Sequence, residues 1–184
     1  MTTTARFYTK GPRGVPITQI VVHCTQSQEK KGILHNIWAW MRGKNAPHAS
    51  AHVFVDDTTS LRSVDDKDIA WHCGVWEINR RSLGIELTGS ASQTRAQWLD
   101  AFSSGVFDVA AKQIATWCRL YKIPATRLSA LPIRIGSRGI FGHADVTNAY
   151  NVAGGHTDPG INFPWAELLR RVNKHLTPEP ISLA

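Results

Sequence analysis

A chain of 184 residues with 42% apolar and 19% charged residues suits one compact globular domain and excludes wholesale disorder. At this length about 70% of the unfolded surface can be buried without disulfide staples, and three cysteines (Cys24, Cys73, Cys118) with no CxxC spacing exclude a disulfide framework and point to synthesis in a reducing compartment. The formal net charge of +7 is spread along the chain, +3 up to Ser92 and +4 beyond, so it favours an anionic partner without choosing between nucleic acid and an anionic cell wall.

The first residues, MTTTARFYTKGPRG, lack the apolar core of a secretory signal. Nowhere does an apolar run approach the ~20 residues of a membrane span. Residues 17–23 (ITQIVVH) follow a Gly/Pro-rich stretch and read as a buried β-branched strand. Ile33, Ile37 and Met41, with Leu34 and Trp38, recur at helical spacing, and Gly43 fits the stop. Residues 51–57 and 60–64 form a predicted hairpin around Asp57-Thr58-Thr59, and 82–88 (SLGIELT) a further strand. Thr94 and Gln97 make a capping box ahead of a long helix with Trp98, Phe102, Val109, Ile114, Trp117 and Tyr121 on its apolar stripe. Ser103-Ser104-Gly105 is a place for it to bend, and Pro124 ends it. Residues 140–142 read as a short strand, and a last helix starts at Pro164 with Trp165, Leu168, Leu169, Val172 and Leu176 facing the core. Strands separated by helices, with one hairpin, predict an α/β fold: a mixed central sheet flanked by helices. Residues 177–184 (TPEPISLA) read as a tail or linker stub.

Of eight histidines, the informative ones sit at element ends. His23 closes the first strand, His143 follows Gly142, and Asp158 lies in HTDPG just before the last helix. Rigid strand ends commonly display functional groups. Two imidazoles and a carboxylate suit zinc and leave one tetrahedral position open for water, whose pKa zinc lowers from ~15.7 towards ~7. Taken singly, each of the three reads more naturally as a structural or solvated residue.

The surrounding segments resemble the type 2 N-acetylmuramoyl-L-alanine amidases, the family of amidase-type phage lysozymes, bacterial recycling amidases and peptidoglycan recognition proteins. IVVHCT, IAWHCG with SLGIELTG, FGHADV and HTDPGINFPW carry the resemblance, in family order, from about Ile17 to Leu176. The resemblance implies a zinc enzyme that cuts the amide between N-acetylmuramic acid and L-alanine in peptidoglycan, with His23, His143 and Asp158 as zinc ligands and Glu86 as the acid/base group. It implies the fold of that family, with residues 1–176 as a single catalytic domain. By alternation Glu86 faces away from Ile85 and Leu87, towards either solvent or a cleft. Many relatives carry Lys two residues before the Asp ligand; here His156 stands there, as a candidate oxyanion stabiliser or a further ligand. The segment from His143 to Asp158 reads as a long loop, in which Asp145 either orients a ligand or caps the loop. Trp71, His72 and Asn79 are candidate substrate contacts, each equally readable as a locally bonded residue. His52 fits a structural place near the metal, His35, His48 and His175 the surface, and Cys24 the core.

The expected partners are peptidoglycan or a soluble muropeptide. Neither nucleic acid nor membrane insertion is expected, and a monomer is. The expected setting is a phage endolysin, made in the cytoplasm without a signal peptide and acting on the wall after release; a cytosolic recycling amidase is the alternative. Two rival readings are a non-catalytic peptidoglycan-binding module of the same fold and a metal-dependent nuclease, the latter poorly served by only three adjacent basic pairs.

Overall fold

The structure is a computed structural model and describes residues 4–177. Of the expected tail, 178–184 lie outside the described residues. The elements run β1 (Tyr8–Thr9), β2 (Gln19–Cys24), α1 (Ile33–Arg42), β3 (Val53–Val55), β4 (Ser60–Arg62), β5 (Ile69–Ala70), α2 (Trp76–Arg81), β6 (Ser82–Leu87), α3 (Ala101–Tyr121), α4 (Ala130–Arg134), β7 (Gly139–Gly142), α5 (His143–Tyr150) and α6 (Trp165–Leu176). The main sheet has the order β4-β3-β6-β2-β7. β3, β6, β2 and β7 are parallel neighbours, and β4 joins β3 antiparallel at the edge. This is the mixed, helix-flanked α/β architecture expected. β1 and β5 form a separate two-stranded ribbon.

Strands β2 and β7 are buried along their whole length, and β2 carries its polar Gln19 and His23 at the face opposite the main core. Alternation sends Ile20, Val22 and Cys24 of β2 and Leu83, Ile85 and Leu87 of β6 into one core, against Val106, Ala110, Ile114 and Trp117 of α3 and Leu168 and Val172 of α6. The opposite face is covered only at its flanks. Val21 and Phe141 pack with Ile78, Ile133, Val146 and Ala149 at one side. At the other, Phe54 packs with Leu34 and Ala51. Between these two clusters the sheet is open.

The long helix differs from expectation in where it breaks. The Thr94–Gln97 box forms, with the Gln97 backbone N–H donating to Thr94 Oγ1 (3.2 Å) and the Thr94 N–H to Gln97 Oε1 (2.8 Å). It closes only a single 3-10 turn, Gln97–Leu99. Asp100 then caps a fresh helix, its side chain accepting from the Ser103 N–H. α3 runs unbroken through Ser103-Ser104-Gly105, where glycine serves packing: a Cβ at 105 would stand 2.6 Å from the Asp57 carbonyl oxygen. The segment after His143 is also not simply a loop, since its first eight residues form α5. That helix, with α2 and α4, carries too few periodic apolar positions to announce itself, and packing against the sheet sustains it.

Candidate functional site

The open part of the second face is a cleft of about 850 Å³ at the carboxyl ends of the parallel strands. Crevices at this end of parallel sheets are where α/β proteins place ligands. Register sets its floor. Glu86 on β6 lies between Phe54 on β3 and His23 on β2. Val22 pairs with Gly142, and at the next residue, His143, β7 gives way to α5. The face left open by alternation for Glu86 is therefore the cleft.

His23 and His143 turn their Nδ1 atoms towards Asp158, 3.0 Å from Oδ2 and 3.3 Å from Oδ1. All three residues are buried, and one potential ligand atom from each lies within 4.8 Å of the others. Burial alone would raise the Asp158 pKa, but hydrogen bonds and charge from His143 and His23 outweigh it and pull the carboxyl well below its usual range. Burial lowers the His23 pKa despite Asp158. The Glu86 pKa is raised to about 8, first by burial and then by the negative charge of Asp158. Its Oε2 is shut off from solvent with no hydrogen-bond partner among the described residues.

Local structure holds these groups in place. His143 is the first residue of α5, and Asp145 fastens that end by accepting from the Gly142 N–H (2.7 Å) while Arg127 grips both of its carboxylate oxygens. Asp145 thus caps the helix that carries His143. The Ala144 N–H donates to the Asp158 carbonyl (2.9 Å), tying the two segments together. Gly142 must lack a side chain, because a Cβ there would meet Pro159 Cδ at 2.6 Å.

His156 does not join the buried group. Its side chain is 70% exposed, its Nδ1 is 3.6 Å from Asp158 Oδ1, and its ring stacks on His143 with centroids 4.3 Å apart. Trp71 lines the cleft with its Nε1–H donating to Thr9 Oγ1 (2.9 Å). Asn79 is committed elsewhere: its Oδ1 accepts from the backbone N–H groups of His72 (3.3 Å) and Cys73 (3.0 Å). His72 is buried, with one ring nitrogen near Ser82 and the other near His23, so neither is left for a sugar or peptide. His52 is a buried structural residue, accepting from the Gly84 N–H and meeting Arg13 at 2.6 Å. His35 and His48 are exposed and Cys24 lies in the core. The sequence reading missed the exposed Trp40 and Trp76, which also line the cleft, because tryptophan on a helix ordinarily signals core. The basic pairs Arg80-Arg81 and Arg170-Arg171 are engaged by Glu77 and Glu167.

Three ligand-type side chains from a strand end, a helix start and a loop, gathered beside the buried carboxyl of Glu86, define the class as an α/β protein with a candidate metal centre. Residues 13–161 match the N-acetylmuramoyl-L-alanine amidase family, and the chain belongs to it. It is an enzyme of that amidase class, acting on peptidoglycan. No curated protein matches. Among solved structures, Staphylococcus aureus hydrolase AmiA in complex with its ligand shares 21% identity at a TM-score of 0.70, over 95% of this chain and 81% of that one. A selenomethionine derivative of AmpD shares 21% at 0.62, over 95% and 93%. The Ph2119 endolysin of Thermus scotoductus MAT2119 bacteriophage Ph2119 shares 19% at 0.56, over 94% and 92%. At these identities the likeness speaks for the fold. No helix among the described residues is long and apolar enough to cross a membrane.

Proposed function

We propose that this amidase is zinc-dependent, with His23, His143 and Asp158 as ligands, and that it serves as a phage endolysin. The observation that carries the metal centre is the convergence of two imidazoles and a carboxylate, from β2, the start of α5 and the loop before α6, with ligand atoms inside 4.8 Å. Two nitrogens and an oxygen are a donor set zinc accepts readily. The fit is also chemical: both Nδ1 atoms face one carboxylate in a buried site, an arrangement that a cation among them stabilises. Bound there, zinc would acidify a water and polarise the scissile carbonyl.

The chain's own residues do the rest. Glu86, with one oxygen free of partners and a pKa near working pH, takes a proton from the attacking water and returns it to the departing L-alanine nitrogen as the C–N bond breaks. His156, exposed at the rim and stacked on His143, donates a hydrogen bond to the oxyanion. Trp71 forms an apolar wall for the substrate. Residues 1–176 act as one catalytic domain, and the protein works as a monomer.

The +7 charge favours an anionic wall polymer over a small soluble fragment, which supports the endolysin role. The deciding experiment strips the protein with chelator, reloads it with zinc, and follows peptides released from purified sacculi and from soluble muropeptides. Release should vanish, return with zinc, and be faster from sacculi. A stripped protein of undiminished activity overturns zinc dependence, and a preference for soluble muropeptides overturns the endolysin role in favour of recycling.

A further inference from the structure

We infer that Trp40 and Trp76 are sugar-stacking platforms, one on each wall of the cleft, and that the enzyme selects its substrate by the glycan rings flanking the muramic acid whose amide it cuts. The inference rests on the proposed reading that this amide is cut in the cleft around His23, Glu86, His143 and Asp158. Of the seven tryptophans, five are engaged within the protein. Trp98 packs with Phe107 and Phe163, and Trp117 donates its Nε1–H to Asp66 (3.0 Å). Trp71 donates to Thr9, while Arg42 covers the Trp38 ring at 4.0 Å and Arg127 the Trp165 ring at 3.8 Å. Trp40 and Trp76 are 54% and 49% exposed, and neither side chain has a hydrogen-bond, ring or cation partner among the described residues. Both line the cleft.

The two flanking clusters set their positions. Helix α1 packs Leu34, Ile37 and Met41 with Phe54 at the β3 side, leaving Trp40 outside that contact. Trp76 opens α2, whose Ile78 packs with Val21 and Phe141 at the β7 side. One exposed indole is ordinary on a surface, but two from opposite flanks of one cleft form a paired feature. An indole offers a broad apolar face and a single N–H donor. These match the C–H face of a pyranose ring and its hydroxyl or N-acetyl oxygens. Charge points the same way. Among the described residues no lysine or arginine lines the cleft, although the chain carries 21, and its carboxyl groups are those of Glu86 and Asp158. Such walls offer no fixed positive charge to the free carboxylates of a peptide and suit uncharged sugar rings. At about 850 Å³ the cleft lies near the top of the ~300–1,000 Å³ range of ligand sites, which leaves room for rings beside the one that bears the scissile amide.

The first arm of the test needs neither zinc nor turnover. Metal-free protein is titrated with glycan strands stripped of peptide, and binding is followed by calorimetry and tryptophan fluorescence. Wild type should bind, and Trp40→Ala and Trp76→Ala should each weaken binding about 2- to 10-fold, with Trp40→Phe and Trp76→Phe recovering most of it. Both side chains are about half exposed, so the variants should keep the wild-type melting temperature. No glycan binding by wild type, or equal binding by the alanine variants, overturns the inference. Weakened binding of free stem peptide with glycan binding intact would assign the rings to peptide instead and overturn it too. The second arm uses zinc-loaded enzyme. Each alanine variant should raise KM for peptide-bearing glycan strands by a similar factor, and raise it less for a muramyl peptide with a single sugar. An equal loss on both substrates would show that the rings do not read flanking sugars. A wild type that releases no peptide when loaded with zinc defeats the proposed metal centre, while the glycan titration still decides the platforms.

Discussion

Glu86 lies on the cleft floor, in register with His23 on the neighbouring strand, and its raised pKa has a consequence for stability. In the unfolded chain its carboxyl titrates near 4.5; in the folded, metal-free chain it holds its proton to about 8. Between these values the folded state binds the extra proton, so its contribution is complete below 4.5 and is lost as pH rises through about 8. Burial lowers the pKa values of His23, His52 and His72 below 6.5, so their own effect is spent above that pH. The melting temperature of metal-free protein should therefore fall between pH 6.5 and 8, and Glu86→Gln should flatten the fall. Parallel curves would show that Glu86 is not held neutral. In the loaded enzyme, Glu86→Gln should cost about 10²- to 10⁴-fold in turnover with zinc affinity nearly unchanged. His156→Ala should lower turnover, and His156→Lys, which restores a hydrogen-bond donor, should recover part of it. Unaltered turnover in His156→Ala would remove His156 from the oxyanion role.

At the scale of elements, α5 is the part whose placement matters most. It is only eight residues long, and such a helix is not stable alone. It is fixed by Asp145 at its first turn, by Arg127 bridging Asp145 while stacked 3.8 Å above the Trp165 ring, and by Val146 and Ala149 in the core. Asp145→Ala leaves the Gly142 N–H without its acceptor and Arg127 without its carboxylate. It should lower stability by about 2 kcal/mol, read from the urea midpoint at unchanged slope. Gly142→Ala acts on the same joint from the other side, driving a Cβ against Pro159 and Trp165. Since Pro159 follows Asp158, zinc affinity should drop in this variant even where the fold survives. Native affinity in Gly142→Ala would show that the joint does not set the position of Asp158.

Across the whole molecule, the proposed ligands tie together segments 135 residues apart in sequence, from His23 to Asp158. A metal that binds only the folded chain stabilises it by mass action, by about 2.7 kcal/mol at a free concentration one hundred times Kd. Zinc should therefore raise the melting temperature in a concentration-dependent way, and the rise should vanish in Asp158→Ala. A net charge of +7 also makes wall binding long-ranged and open to screening. Retention on sacculi should weaken as salt is raised, with less effect on the catalytic step itself.

Strands β2, β6 and β7, helices α1, α3 and α6 and the hairpin of β3 and β4 were legible in the sequence, because each carries enough apolar positions to show its period. Helices α2, α4 and α5 and the ribbon of β1 and β5 were not: each has eight residues or fewer, and contacts distant in sequence sustain it. For the site, element ends and family motifs were enough to single out His23, Glu86, His143 and Asp158. Alternation showed that Glu86 turns away from Ile85 and Leu87, but a period of two does not say what lies on the other side. Only the tertiary structure decided that, since the second face of the sheet is packed at its flanks and left open between them. It likewise decided that His72 and Asn79 spend their polar atoms inside the protein and that His156 stands at the rim, because hydrogen-bond partners are set by proximity in space, which a linear order of residues does not contain.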